Sequence, residues 1–263
     1  MLDLYNPTID CLVREIDNHA VGTTHARGLP TREVQGARLV WSLLTTPYRH
    51  GMATKLGLLE GWFMIAGVFN LDSVVKVAPK ADPTLFGPMA QYGPRLAHQW
   101  PRVVHALKSD SSSRRAVMVL PRWTETGTAD CPCTVSVQFL IRNGFLDTYV
   151  YYRSWDVGWG LPYDTLSISL LAQTTARLLD VLPGNLVAFA CSLHYYLDKR
   201  DILAGSDYLT IEFSDSLVAC KSIKDWRLVA SKVVVDPAEI TNYTRVLRTP
   251  AEHVEGWVHA TID

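Results

Sequence analysis

The centre of the chain carries the alternation of apolar and polar residues that is typical of β-strands. Residues 135–141 have apolar side chains at every second position, and Val117–Val119 shows the same spacing just before them. Asn143-Gly144 follows as a hairpin signal, because both residue types tolerate the backbone conformation of a tight turn between strands. Residues 145–153 are therefore expected to form the returning strand, and the rest of the chain must fold around this hairpin.

Helical spacing of apolar residues surrounds the central block. Thr8 can cap a first helix that runs to about residue 20, with apolar residues from Ile9 to Ile16 at helical spacing. The spacing predicts further helices over residues 52–67, 94–107 and 164–182, and strands over residues 186–196, 208–213 and 233–235. Because the strands are bunched and the helices lie around them, the pattern favours an α+β fold over regular βαβ winding.

Even composition from end to end indicates a single domain spanning residues 1–263. The formal net charge of −1 argues against a protein held to nucleic acid or an anionic membrane mainly by bulk electrostatics. Apolar runs fall short of the roughly 18 residues that span a bilayer, and charges interrupt the N-terminal segment, so no signal peptide is expected. Five cysteines without scaffold spacing favour reduced thiols and a cytoplasmic protein.

Two side chains in apolar surroundings could carry chemistry. Cys133 begins a predicted strand, and a cysteine in such a place is most often a small buried apolar residue. Cys131 lies two positions earlier, but no second pair with zinc spacing follows, so no metal is expected. Glu60 stands inside an apolar helix, where an unpaired carboxylate is costly and usually serves a function.

Arginines and serines occur together at the ends of predicted strands. Arg114 and Arg115 precede one strand, and Arg153-Ser154 ends another. Such pairs are either solvated charges or a means of holding phosphate. His194 and Tyr196 end a further strand, where the simplest interpretation is a hydrogen-bonded core histidine and a packed aromatic residue.

Taken in order, these residues resemble the thymidylate synthase family. The resemblance runs from Arg114 to Tyr196, with family spacing and no gap between Cys133 and Tyr196. Its motifs here are Pro132-Cys133, Gln138-Phe139, Asn143-Gly144, Tyr151-Tyr152-Arg153-Ser154-Trp155-Asp156, Gly160-Leu161-Pro162-Tyr163-Asp164 and His194-Tyr195-Tyr196. The N-terminal half is similar to the family more loosely, at Glu60 in its helix, at Tyr92-Gly93, and at Arg27 in place of the mobile-loop arginine.

The resemblance implies a homodimer, with a twisted mixed β-sheet at the interface and helices packed on its other face. It also implies a pyrimidine nucleoside 5′-monophosphate as substrate and 5,10-methylenetetrahydrofolate as one-carbon donor in nucleotide biosynthesis. Cys133 would add to C6 of the base, with Glu60, Tyr92 and Asp164 as the other catalytic residues. The remaining substrate residues implied are Arg27, Arg153 and Ser154 on the phosphate, Arg114 and Arg115 on it from the partner subunit, His194 and Tyr196 on the sugar, and Gln138. Asp156 and Gly160 would bind the folate, and Asp156 would also line the substrate site.

One departure from the family bears on the base. Thymidylate synthases have asparagine where this chain has Asp164, and that amide donates to O4 and accepts from N3–H of uracil. Cytosine reverses both polarities, and a carboxyl group can accept from N4–H and share a proton with N3. The family's deoxycytidylate hydroxymethylases carry aspartate at this position. The alternative is that Asp164 caps the helix that it opens in the sequence pattern.

Other departures concern the fate of the transferred carbon. Residues 70–83 contain no tryptophan, Asp130 stands where the synthases have an apolar residue, and Thr134 replaces the histidine after the nucleophile. Ala190-Cys191-Ser192 also replaces a Gly-Gly-Asp sequence. A more polar pocket would admit water, so the expected reaction converts dCMP or CMP, methylenetetrahydrofolate and water to the 5-hydroxymethyl nucleotide and tetrahydrofolate. Ser154 favours dCMP. The alternatives are C5 methylation of dCMP or dUMP with dihydrofolate as product, and a catalytically silent nucleotide-binding protein.

Overall fold

The computed structural model describes residues 1–25, 28–87, 91–128 and 131–254. The helices are α1 (Ile9–His19), α2 (Thr54–Ala66), α3 (Leu71–Val77), α4 (Tyr92–Leu96), α5 (Gln99–Ser109), α6 (Gly160–Leu179), α7 (Ile223–Val235) and α8 (Ile240–Tyr243). The strands are β1 (Leu2–Tyr5), β2 (Thr23–Thr24), β3 (Thr31–Ser42), β4 (Thr45–Pro47), β5 (Val117–Val119), β6 (Thr134–Arg142), β7 (Phe145–Tyr152), β8 (Trp155–Asp156), β9 (Leu182–Tyr196), β10 (Asp207–Phe213) and β11 (Thr244–Pro250). Across these ranges, none of the helices has the length and apolar character needed to cross a bilayer.

A mixed sheet forms the centre of the described structure. Its strand order is β1-β3-β9-β7-β6-β5, with β2 paired to β3 and β8 paired to β9. Strands β1, β7 and β8 each run parallel to a neighbour, whereas β3 with β9 and β6 with its two neighbours are antiparallel. A smaller antiparallel sheet has the order β11-β10-β4. The predicted α+β fold with a twisted mixed sheet is confirmed.

Helix α2 is buried around most of its circumference because it packs against α6, α7 and α4. Two of its glycines face α6 without room for a side chain. A Cβ atom at Gly57 would lie 2.9 Å from Cδ2 of Leu166, and one at Gly61 would lie 2.8 Å from Cδ2 of Leu170. This close approach brings Glu60, which lies between the two glycines in sequence, against the N-terminal half of α6.

Helix α6 begins at Gly160, earlier than the apolar spacing predicts. Pro162 lies in the first turn, where its missing N–H costs no hydrogen bond. Asp164 therefore lies inside the helix instead of before it. The alternative interpretation of Asp164 as a helix cap is wrong, because the residue at the cap position is Trp159.

Several other elements differ from the sequence-based expectation. The predicted strand at residues 233–235 is wrong, since these valines end α7, whose buried face includes Trp226, Ala230 and Val233 at helical spacing. The single helix expected over residues 94–107 is divided into α4 and α5. The first helix agrees with expectation, and Thr8 caps it by accepting a hydrogen bond from the backbone N–H of Cys11 at 3.2 Å.

One face of the large sheet carries exposed apolar side chains. Val117, Val119 and Tyr151 are 40%, 49% and 42% exposed. The strand register places Val119 opposite Ser136 on β6, and Ser136 opposite Tyr151 on β7, so these side chains share a face. The other face packs against the helices through residues such as Phe139, which is fully buried.

Candidate active site

Cys133 lies directly before β6 and is held in place by Arg153, which follows β7. The backbone N–H of Arg153 donates to the carbonyl of Cys133 at 3.0 Å. Its guanidinium Nε donates to the carbonyl of Pro132 at 3.0 Å, and Nη2 donates to the carbonyl of Cys131 at 2.5 Å. A positively charged group thus binds the backbone on the N-terminal side of the candidate nucleophile, where it favours negative charge.

Tyr92 approaches the same segment from α4. The backbone N–H of Thr134 donates to its phenolic oxygen at 3.4 Å. Burial raises the pKa of Tyr92 above its ordinary value, and the charges of Asp164 and Cys133 raise it further. The phenol is therefore protonated at neutral pH and can donate a hydrogen bond inside the site.

Two largely buried carboxyl groups, Glu60 on α2 and Asp164 on α6, lie near enough for the charge of one to affect the other. Burial raises the pKa of Glu60 to about 8, and the nearby Asp164 carboxylate contributes to this increase. Burial raises the pKa of Asp164 to about 7, while a hydrogen bond from Trp155 opposes the increase. Carboxyl groups whose pKa values lie near neutrality can both give and take protons at physiological pH.

Trp155 orients the Asp164 carboxyl group. Its indole Nε1 donates to Oδ2 of Asp164 at 3.0 Å. The indole ring is 1% exposed and stacks on Tyr152, with ring centroids 3.9 Å apart and planes inclined by 10°. Residue spacing alone assigned no role to Trp155. A role could be predicted from the sequence, since a buried indole N–H usually needs an acceptor and Trp155 stands inside a motif of candidate site residues.

Strand β8 brings a second group of candidate residues together. Asp156 lies opposite His194 on β9, and Oδ1 of Asp156 accepts from the backbone N–H of Gly158 at 2.8 Å. Burial raises the pKa of Asp156 and lowers that of His194, so burial disfavours the charged form of each. The Tyr196 ring stands edge-on to His194 at 5.4 Å between centroids. The three predicted residues Asp156, His194 and Tyr196 are therefore neighbours.

Comparison with known proteins identifies the family of the chain. Residues 88–227 match the family model described as thymidylate synthase. Over 220 residues the chain is 37% identical to the thymidylate synthase of Enterobacteria phage T4, a match that covers 71% of this chain and 75% of that protein. The chain belongs to the thymidylate synthase family. The family predicted from the sequence motifs is confirmed.

Other members of the thymidylate synthase family match over shorter stretches. A thymidylate synthase of Encephalitozoon cuniculi is 38% identical over 101 residues, which are 38% of this chain and 34% of that protein. A bifunctional dihydrofolate reductase-thymidylate synthase of Zea mays is 33% identical over 97 residues, which are 36% of this chain and 18% of that protein. The matched region thus spans about a third or less of these two relatives. The crystal structure of the phage T4 thymidylate synthase has the same fold, with a TM-score of 0.67 and 20% identity over 90% of this chain and 93% of that chain.

Two buried hydroxyl groups make the site of this thymidylate synthase family member more polar. Oγ1 of Thr134 and the phenolic oxygen of Tyr152 are buried, and the two hydroxyls lie close enough to interact with each other. Burial raises the pKa of Tyr152, and the charges of Asp164 and Tyr92 add to the increase. Buried hydroxyls near reactive groups can hydrogen-bond a substrate or a water molecule. The Thr134 hydroxyl is one of the departures noted in the sequence.

Gly160 lies beside the Asp164 carboxyl group. A Cβ atom there would lie 3.6 Å from Oδ2 of Asp164 and 3.5 Å from Cδ1 of Trp155. The neighbouring Trp159 side chain is exposed, and the guanidinium of Arg49 lies 5.2 Å from its ring centroid. This end of α6 therefore presents an aromatic surface next to Asp156 and Gly160.

Other predicted site residues lie elsewhere in the single chain. Arg114 and Arg115 are exposed before β5. The side chain of Gln138 alternates with buried neighbours on β6, so it lies on the open face of the sheet, where its Nε2 donates to the carbonyl of Arg114 at 2.9 Å. Ser154 lies between β7 and β8, next to Arg153. Arg27 and Asp130 lie outside the described residues.

Proposed function

We propose that the protein is a folate-dependent C5 one-carbon transferase that converts dCMP or CMP, 5,10-methylenetetrahydrofolate and water to the 5-hydroxymethyl nucleotide and tetrahydrofolate. One observation carries this proposal. Asp164 is a largely buried carboxyl group at the position where thymidylate synthases have an amide. Its pKa is raised to about 7, and Glu60 is nearby.

The protonated form of Asp164 can pair with cytosine. Cytosine presents N3 as an acceptor and its N4 amino group as a donor. A protonated carboxyl group supplies one O–H donor and one acceptor oxygen, which match this pair. An amide aligned for uracil would set its NH₂ group against the N4 amino group, and an unmatched buried donor costs about 1 to 3 kcal/mol.

The covalent step requires a thiolate at Cys133, which adds to C6 of the base and makes C5 nucleophilic. C5 then takes up the one-carbon unit and loses its proton. The bond between the transferred carbon and the folate nitrogen breaks, and tetrahydrofolate leaves. Water then adds its hydroxyl to that carbon and gives its other proton to Glu60, as the bond between Cys133 and C6 breaks, which restores the ring and the thiolate. Glu60 accepts and returns the protons, and Tyr92 donates a hydrogen bond near the nucleophile. A thiolate mechanism needs a reducing compartment, in keeping with the expected cytoplasmic location.

The folate supplies the one-carbon unit when bound, and residues around Asp156 suit it. The amino and N–H groups of a pterin ring are donors, and the Asp156 carboxylate is an acceptor at the end of β8. Gly160 leaves space beside Asp164, and the exposed ring of Trp159 offers a stacking surface for an aromatic ring.

Water as the final reactant is supported by the buried hydroxyls of Thr134 and Tyr152. Both are buried polar groups that can hydrogen-bond a water molecule, and both lie with the reactive groups. A polar site of this kind favours attack by water on the transferred carbon over hydride transfer, which needs a dry pocket.

The phosphate is proposed to bind Arg153, Ser154 and Arg27, together with Arg114 and Arg115 of the partner subunit in a homodimer. The exposed apolar face of the large sheet supports such a dimer, because Val117, Val119 and Tyr151 would be covered there.

The test is incubation of the protein with methylenetetrahydrofolate and each of CMP, dCMP, UMP and dUMP, followed by mass spectrometry of the nucleotide. We expect a hydroxymethyl product from a cytosine nucleotide, with tetrahydrofolate and no dihydrofolate, and no product from Cys133→Ala. A methylated product with an absorbance rise from dihydrofolate would instead establish C5 methylation of dCMP or dUMP. The names of the relatives favour that second candidate. No product with any nucleotide would identify a catalytically silent relative.

A further inference from the structure

We propose that Trp155 is a positioning residue that determines base specificity. Its indole N–H holds Oδ2 of Asp164 as an acceptor and so restricts the carboxyl proton to Oδ1. The carboxyl group can then pair with only one of the two donor and acceptor arrangements that cytosine and uracil present. This inference deepens the proposed function and rests on its assignment of Asp164 as the residue that reads the base.

The indole is fixed where it can act in this way. Nε1 of Trp155 lies 3.0 Å from Oδ2 of Asp164. One ring face stacks on Tyr152 at 3.9 Å, and Trp41 meets the indole edge-on at 6.1 Å with an interplanar angle of 85°. Trp155 and Tyr152 are both fully buried. The indole therefore cannot turn its N–H toward another acceptor without breaking these ring contacts.

A protonated carboxyl group without such an anchor is ambiguous. With the proton on one oxygen it can donate to N3 and accept from N4 of cytosine. With the proton on the other oxygen it can accept from N3–H and donate to O4 of uracil. A donor aimed at Oδ2 favours the form in which Oδ2 is the carbonyl oxygen, because a hydroxyl oxygen is the weaker acceptor. One hydrogen bond of this kind corresponds to about a tenfold preference between the two proton positions.

Among the residues that the structure describes, the hydrogen bond from Trp155 is the side-chain interaction that acts on the pKa of Asp164. The titratable side chains near enough for the charge of Asp164 to raise their pKa are Glu60 from α2, Tyr92 from α4 and Tyr152 from β7. The pKa of each is raised by burial, so all three are mainly neutral near pH 7. The Trp155 N–H stabilises the ionised form of Asp164, so its removal raises the pKa of Asp164 above about 7.

The experiment compares binding of dCMP and dUMP to the full-length protein by calorimetry, without folate and without turnover. Trp155→Phe retains an aromatic ring but removes the N–H donor. Trp100→Phe is the matched control, because it also removes one buried indole hydrogen bond, from Nε1 to Oγ1 of Thr175 at 2.9 Å, and Trp100 is not one of the rings that hold Trp155. If Trp155→Phe does not fold, incorporation of β-(3-benzothienyl)alanine at position 155 keeps the bicyclic shape and removes only the N–H.

We expect loss of the Trp155 N–H to reduce the ratio of dCMP to dUMP affinity about tenfold, mainly through tighter dUMP binding. The pH at which dCMP binding weakens should also move upward. The Trp100→Phe ratio should equal that of the unmodified protein. An unchanged ratio after N–H removal, or the same change in Trp100→Phe, overturns the role of Trp155. Asp164→Asn separates the two proposals. If Asp164→Asn shifts the ratio toward dUMP while Trp155→Phe does not, only the role of Trp155 fails. If Asp164→Asn leaves the ratio unchanged, the proposed recognition of the base by Asp164 fails as well.

Discussion

Asp164 is expected to make the free energy of unfolding depend on pH, and Asp164→Asn isolates its contribution. Burial raises the pKa of Asp164 from 3.8 to about 7. Between these pH values the folded chain keeps a proton that the unfolded chain has released. Unfolding therefore becomes more favourable as the pH rises through this window, and the loss of stability is complete above it.

The magnitude follows from the size of this change. At about 1.4 kcal/mol for each pH unit, the full effect of moving the pKa from 3.8 to about 7 is about 4 kcal/mol. Asp164 keeps some contact with solvent, which relaxes part of the burial cost, so we expect about 2 to 3 kcal/mol. Asparagine has no charge to bury, so the variant should gain that amount of stability relative to the unmodified protein as the pH rises from about 4 to about 8.

The assay is urea unfolding at several pH values, followed by tryptophan fluorescence and circular dichroism. Asp201→Asn is the control, because Asp201 is exposed and its replacement should change the free energy of unfolding little at any pH. A difference between Asp164→Asn and the unmodified protein that stays constant with pH would refute the reasoning. So would a difference that shrinks as the pH rises.

Three further changes test other parts of the site. Glu60→Gln should lower kcat about a hundredfold or more while nucleotide affinity changes little, because in the proposed mechanism the group moves protons and does not hold the substrate; steady-state kinetics and calorimetry measure the two effects. Arg153→Lys should raise KM for the nucleotide and loosen the nucleophile segment, since lysine cannot reproduce both carbonyl hydrogen bonds; faster alkylation of the cysteines by iodoacetamide would report the loosening. Gly93→Ala should destabilise the fold by about 3 kcal/mol in urea unfolding, because its Cβ would lie 2.1 Å from the carbonyl oxygen of Val68. Gly87→Ala is the control and should be close to neutral, because the nearest atom to a Cβ at Gly87 is 3.9 Å away.

The strand pattern and the family motifs predict much of the fold around the nucleophile. The hairpin at Asn143-Gly144 is confirmed, and Asn143 adopts a left-handed backbone with φ of 51°. Strand β3 escaped prediction because Arg32 and Glu33 interrupt its apolar pattern and Gly36, with φ of 72°, shifts the alternation by one residue. The three valines that end α7 favour strands by propensity, but packing of a helical face against the core decides their conformation.

Within the site, the sequence predicts which residues matter better than how they meet. Asp156 and His194 come together through the pairing of β8 with β9, which the spacing of the motifs does not show. The hydrogen bond from Trp155 to Asp164 depends on how α6 begins and on which way an indole ring turns, and neither follows from residue spacing. The raised pKa of Glu60 likewise depends on the close packing of α2 against α6, which is set by small residues whose role is visible only in three dimensions.

The pairing of β3 with β9 constrains how the protein is made in the cell. It joins residues 31–42 to residues 185–196, so the centre of the large sheet cannot close until β9 has left the ribosome. Until then β3 has an unpaired edge, and such edges are prone to association with other chains. Glu60 and Cys133 are synthesised well before this closure. We therefore expect ribosome-bound chains that end before residue 185 to require chaperones and to lack the assembled site, with the site forming only in a late, cooperative step.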